Sequence, residues 1–177
     1  MLDTIAGHWF ISRTRYGPMI HALLEIGEEN SGKLVAILRH QAKFIAEGQG
    51  YPYVLVDGPP GAGCPVISSL TGAHYGVAVT EPTLSGWHDL ERILSLMERF
   101  RVKPFVIINK YDLNRELSLK IKNQLKEKNV DVIGEIPFDE AVVDSIIHAR
   151  NPVENGDSPA KRELIKIYER LITEIET

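Results

Sequence analysis

Cysteine is nearly missing from this chain: among 177 residues there is one, Cys64. A single thiol excludes an internal disulfide, fits a reducing compartment and cannot hold an iron–sulfur cluster within the chain. Charge of one sign is not concentrated. The 20 basic and 24 acidic residues are interspersed, give a formal net charge of -4 and form no basic run of five. That argues against a nucleic-acid surface. No stretch approaches the roughly 20 apolar residues of a membrane span. Met1-Leu2-Asp3-Thr4-Ile5 lacks the basic flank and apolar core of a signal peptide. The expected location is the cytoplasm. There is no internal repeat, no low-complexity tract and no His-x-x-x-His spacing, and the six histidines read as surface or structural. Ser68 and Ser69 lack a Gly-x-Ser-x-Gly context, so neither reads as a hydrolase nucleophile.

What is present is ordinary globular material. Hydrophobic residues make up 44% of the chain, enough for a single domain over 1–177 with one core. Two extended runs, Trp9–Ser12 and Met19–Leu24, flank Gly17-Pro18 and suggest a hairpin. Apolar strands then alternate with amphipathic helices. The strand candidates are Tyr53–Val56, Val77–Val79, Phe105–Ile108 and Val132–Ile136. Helices are expected over 32–46, 85–100, around Leu117–Leu125, over 142–149 and from Ser158-Pro159 onward. Such alternation predicts an α/β fold, a three-layer arrangement whose mainly parallel sheet is covered by helices. Ligands of such sheets lie beyond the carboxyl ends of the strands. The residues there are Asp57, Thr80-Glu81-Pro82, Asn109-Lys110-Tyr111-Asp112 and Pro137-Phe138-Asp139.

The segment from Asp57 to Pro65, Asp-Gly-Pro-Pro-Gly-Ala-Gly-Cys-Pro, carries the strongest signal. A carboxylate at a strand end can hold Mg²⁺ through water, since Mg²⁺ dehydrates reluctantly. In the loop from Gly58 on, Gly61 and Gly63 can bring bare backbone N–H groups to a terminal phosphate, and Pro59 and Pro60 stiffen the loop. The plainer alternative is a strand-end Asp with a Gly/Pro turn. Cys64 in this loop reads as a small buried hydrophobe.

This run resembles the Walker B and switch II segment of the MinD/Mrp/ParA class of ATPases, the deviant Walker family. More narrowly, the chain resembles MinD-superfamily ATPases that carry an inserted ferredoxin domain. The further matching pieces are Arg15–Met19 with His21-Ala22, Gly27–Val35, Val79–Gly86 with His88-Asp89-Leu90, Asn109–Leu113 and Gly134–Asp139, in order over residues 15 to about 150. The resemblance implies ATP with Mg²⁺, Asp57 as the catalytic and metal-orienting residue, and a γ-phosphate switch over Gly58–Gly63. It further implies a homodimer and an iron–sulfur or ferredoxin-type partner. The family's N-terminal phosphate loop and ferredoxin insert are not recognisable, so the chain reads as the portion after the insert, an incomplete P-loop fold.

Gly27-Glu28-Glu29-Asn30-Ser31-Gly32-Lys33-Leu34 nearly fits the Walker A pattern. Leu34 replaces the Mg²⁺-binding hydroxyl, and Glu28 and Glu29 would stand against phosphate charge. A capped helix start at Asn30 or Ser31 is the rival, with Lys33 still a candidate phosphate contact. Asn109-Lys110-Tyr111-Asp112 fits the N-K-x-D pattern that reads guanine, whereas MinD relatives use the Asn to read adenine. ATP is favoured by the resemblance, GTP by the pattern alone. Pro137 and Asp139 lie where the family's second base-contacting segment falls. Two rivals stay open: an amidoligase of the cobyrinic acid a,c-diamide synthase type, and a scaffold module without turnover. Whether this chain alone is an enzyme is left undecided, because a working phosphate loop is needed for turnover.

Overall fold

A computed structural model describes residues 7–24, 32–154 and 156–177. The chain divides into two compact units, Met1–Thr71 and Gly72–Thr177.

The first unit opens with the expected hairpin. Strands β1 (Gly7–Thr14) and β2 (Gly17–Leu24) pair antiparallel from Gly7↔Leu24 to Thr14↔Gly17. The turn is Arg15-Tyr16, closed by the Thr14 hydroxyl donating to the Gly17 carbonyl at 2.7 Å. Gly17 sits at φ +134, which an L side chain rarely adopts. Helix α1 (Gly32–Gln49) follows, and α2 (Cys64–Leu70) packs against it. Gly32 allows the close approach: a Cβ there would stand 2.6 Å from Ser68 Oγ and 3.0 Å from the Cys64 carbonyl. Arg39 of α1 donates to the carbonyls of Ser68 (2.7 Å) and Thr71, satisfying acceptors at the end of α2.

Two expectations fail in this unit. Tyr53–Val56 belongs to no strand, and Leu55 is 97% exposed. An apolar run becomes a strand only by pairing, and the sheet of this unit holds β1 and β2 alone among the described residues. Cys64 is exposed rather than buried, because it is the first residue of α2 and its side chain faces solvent. Helix α2 was not anticipated. Its cue is Pro65 in the first turn after Gly63. The cap at Asn30 or Ser31, and most of the Walker A-like run, lie outside the described residues.

The second unit is the α/β layer. Strands β3 (Tyr75–Thr80), β4 (Lys103–Asn109) and β5 (Asp131–Ile136) form a parallel sheet in that order. Helices α3 (Leu84–Arg99) and α4 (Arg115–Glu127) make the crossovers, and α5 (Glu140–Ile147) and α6 (Pro159–Glu176) follow. The central strand is buried on both faces: Phe105, Val106, Ile107 and Ile108 are all in the core. On one face Phe105, Ile107 and Ile133 pack against Ile167 of α6, and on the other Met97 of α3 lies over Gly76. This is the predicted parallel sheet flanked by helices, with the predicted hairpin before it.

Each helix start has a local cause. Thr83 Oγ1 accepts from Gly86 N (2.9 Å), Asn114 Oδ1 from Leu117 N (3.0 Å) and Ser158 Oγ from Lys161 N (3.2 Å). Gly86 is required at its position. A Cβ there would lie 2.6 Å from the Glu81 carbonyl and 3.0 Å from the hydroxyls of Thr80 and Thr83. Gly86→Ala is expected to cost about 1–2 kcal/mol, read as a lower denaturant midpoint at unchanged slope.

Candidate functional site

In the second unit the three strand-end loops are tied to one another. β3 ends at Thr80, whose buried hydroxyl donates to the Gly86 carbonyl at 3.0 Å and so fixes the loop Glu81-Pro82 before α3. β4 ends at Asn109. Lys110 then turns the chain with φ 52 and ψ 40, a left-handed conformation that a non-glycine residue takes only when its surroundings demand it. Its ammonium pairs with Glu81 at 2.7 Å. Asp112 Oδ1 accepts the Phe138 amide at 2.7 Å, joining the β4 loop to the β5 loop. Asp139 caps α5 through Oδ1 on Ala141 N (2.9 Å) and reaches α6 through Oδ2 on Ala160 N (3.0 Å).

Those bonds hold Asp139 ionised. The Ala160 amide, the Ser158 hydroxyl and the Ala141 amide, in that order, lower its pKa below the ordinary carboxylate value. Asp112 and Asp139 therefore each serve the scaffold with at least one oxygen. Asn109 is half-buried, and its amide has no hydrogen-bond partner among the described residues. Pro137 is half-buried beside Phe138. The Glu81–Lys110 pair was missed in the sequence. Its signal was there: opposite charges just past the ends of neighbouring parallel strands.

The first unit places the other candidates. Asp57 is exposed, and its carboxylate makes no hydrogen bond or ion pair among the described residues. Gly58, Pro59, Pro60 and Gly61 follow in irregular backbone. Gly61 has φ +91 with nothing within 4 Å of where a Cβ would be, so its need for glycine is conformational. Gly63 precedes α2 with no side-chain cap, and its carbonyl accepts from Ile67 at 3.1 Å. Lys33 is exposed at the start of α1. Among the described residues no three His, Cys, Asp or Glu side chains gather to hold a metal. A lone free carboxylate suits Mg²⁺, which takes one or two protein oxygens and completes its shell with water and phosphate. Among the described residues no helix is long and apolar enough to cross a membrane.

No protein-family model matches the chain. An uncharacterised protein of Methanocaldococcus jannaschii is 29% identical over 154 residues, 87% of this chain and 50% of the relative. A second uncharacterised protein of that organism is 28% identical over 68% of this chain and 41% of its own length. The chain thus spans half or less of the curated relatives it matches. Among solved structures, the MinD cell division protein of Aquifex aeolicus matches with a TM-score of 0.71 at 20% identity, over 92% of this chain and 68% of that one. The fold is MinD-like. The septum site-determining protein MinD of Pyrococcus horikoshii OT3, solved as a complex with Mg-ADP, matches with a TM-score of 0.67 at 17% identity, over 83% of this chain and 60% of its own. At these identities the likeness carries the fold.

Proposed function

We propose that residues 1–177 are a nucleotide-binding domain of a MinD-like ATPase that takes Mg–ATP. The observation that carries this reading is the set of strand-end loops, tied by Lys110–Glu81 and Asp112–Phe138 around an Asn109 amide left free. Parallel α/β sheets bind ligands at that edge. Asn109 reads the adenine edge, while Pro137 and the loop held by Asp139 border the ring. Asp57 orients the magnesium through water. The metal supplies charge neutralisation across the phosphates. The Gly58–Gly63 loop senses the γ-phosphate with bare amides, and Lys33 adds a cation nearby. The MinD–Mg-ADP complex of a structural neighbour supports the choice of nucleotide and metal.

Engagement of Lys110 and Asp112 favours adenine over guanine. The guanine-reading pattern needs the Asp carboxylate for two hydrogen bonds and the Lys stem over the ring. Here Asp112 Oδ1 is already on Phe138 N, and Lys110 is already on Glu81. Turnover by these residues alone is slow in this proposal, since the phosphate cradle of a Walker A loop is not recognisable. A homodimer and an iron–sulfur or ferredoxin-type partner remain part of the proposal from the resemblance. Calorimetric titration with Mg–ATP and with Mg–GTP tests it. Mg–ATP is expected to bind, and Asn109→Ala to weaken it about tenfold, one lost hydrogen-bonded contact. Equal or tighter Mg–GTP binding would sink the adenine assignment. No binding of either would leave the scaffold reading.

A further inference from the structure

Among the described residues, four that are not glycine have positive φ: Arg101 (58), Lys110 (52), Asn129 (54) and Ala149 (50). Three of them have an ordinary cause. Arg101, Asn129 and Ala149 each stand just past the C-cap of a helix, α3, α4 or α5. The next amide then turns back onto the helix: Val102 N on the Met97 carbonyl (2.9 Å), Val130 N on Leu125 (2.9 Å) and Arg150 N on Ser145 (2.8 Å). A left-handed residue at that place is a common way to end a helix. Lys110 ends no helix. It follows β4 directly and opens the short turn Tyr111–Asn114.

Its surroundings supply the cause. The Lys110 ammonium lies on Glu81, just past the end of the neighbouring strand β3, at 2.7 Å. Its carbonyl accepts from Leu113 N at 3.1 Å. Beyond it, the Ser118 hydroxyl donates to the Tyr111 carbonyl at 2.8 Å, and the Phe138 amide donates to Asp112. Before it, Asn109 stands in register with Ile136 of β5. The backbone is thus fixed on both sides of Asn109, and the Glu81 pair is the tie made by the left-handed residue's own side chain. A half-exposed ion pair stabilises little by itself. Its worth is still of the same order as the cost of a left-handed residue that is not glycine, so it can decide whether that conformation persists.

We propose that Lys110 is a positioning residue: held by Glu81, its left-handed backbone aims the Asn109 carboxamide at the base, while its ammonium contacts no phosphate. This rests on the adenine reading above and deepens it, because it assigns roles to Lys110 and Glu81 that neither the motif nor that reading contains.

Calorimetric titration with Mg–ATP and with the magnesium complex of purine riboside triphosphate tests it. The analogue has the same phosphates and lacks the 6-amino group that an Asn carboxamide reads together with a ring nitrogen. The wild type is expected to prefer Mg–ATP. Lys110→Ala and Glu81→Gln should each weaken Mg–ATP about threefold to fivefold, by lowering the fraction of molecules with Asn109 in place, and leave the analogue unchanged. Lys110→Gly should recover most of the Mg–ATP affinity, since glycine takes the left-handed conformation without the pair. In that background Glu81→Gln should have no effect. Equal losses for both nucleotides would put Lys110 on the phosphates and overturn the proposal. A loss in Lys110→Gly as large as in Lys110→Ala also overturns it, and so does an inert Glu81→Gln in the wild-type background. A wild type that binds both nucleotides equally, or neither, removes the adenine reading and the role of Lys110 with it. A preference for Mg–ATP that survives every variant removes the role of Lys110 alone.

Discussion

Replacing Asp57 by alanine is expected to lower the affinity for Mg–ATP about 100-fold, close to 3 kcal/mol, and to leave the weaker affinity for metal-free ATP almost unchanged. The difference is the test. A carboxylate that orients metal-bound water contributes only when the metal is present. One that merely shapes a loop contributes equally in both titrations. Asp57 makes no hydrogen bond or ion pair among the described residues, so its removal should cost little stability. The thermal midpoint of the variant is therefore expected within a degree or two of the wild type. Equal losses with and without Mg²⁺ would remove the metal role. Asp57→Asn should behave like the alanine variant, because the neutral amide keeps the shape and loses the charge.

The second large effect concerns stability. Asp139→Ala removes acceptors from Ala141 N and Ala160 N and so unties α5 and α6 together. Loss of a cap and of a charge-assisted bond should cost about 2–3 kcal/mol in denaturant titration. The pH dependence has a definite sign. Asp139 is held below its ordinary pKa by the Ala160 amide, the Ser158 hydroxyl and the Ala141 amide. A carboxylate lowered on folding stabilises the folded state fully above the unfolded value of about 4, and that stabilisation fades as pH falls through the folded value. Wild type should therefore lose stability more steeply than the alanine variant below about pH 4. Parallel curves for the two proteins would show that the carboxylate is not linked to folding.

Periodicity and caps made the second unit legible. The Leu90, Leu94 and Met97 stripe marked α3, and Ser158-Pro159 marked the start of α6. The apolar run Phe105–Ile108 marked a doubly buried strand. The first unit was less legible for a physical reason. Tyr53–Val56 has the composition of a strand, but composition fixes preference, and only a neighbour fixes pairing. α2 was hidden because seven residues starting Cys-Pro, straight after a Gly/Pro loop, show too little periodicity. In the candidate site, Asn109 and Asp112 could be named from the motif. The assignment of Asp112 to Phe138 N could not, because it joins two loops 26 residues apart. Likewise, nothing in the motif said that Lys110 would be spent on Glu81.

The series of ties from Glu81 to Lys110, and from Asp112 to Phe138, has a consequence for the thermodynamics of binding. A loop already fixed by its own chain gives up little conformational freedom when a base arrives, so its share of the ordering cost is small. In the proposed site, adenosine is therefore expected to bind with a small entropic penalty, read as a favourable or near-zero entropy term in calorimetry.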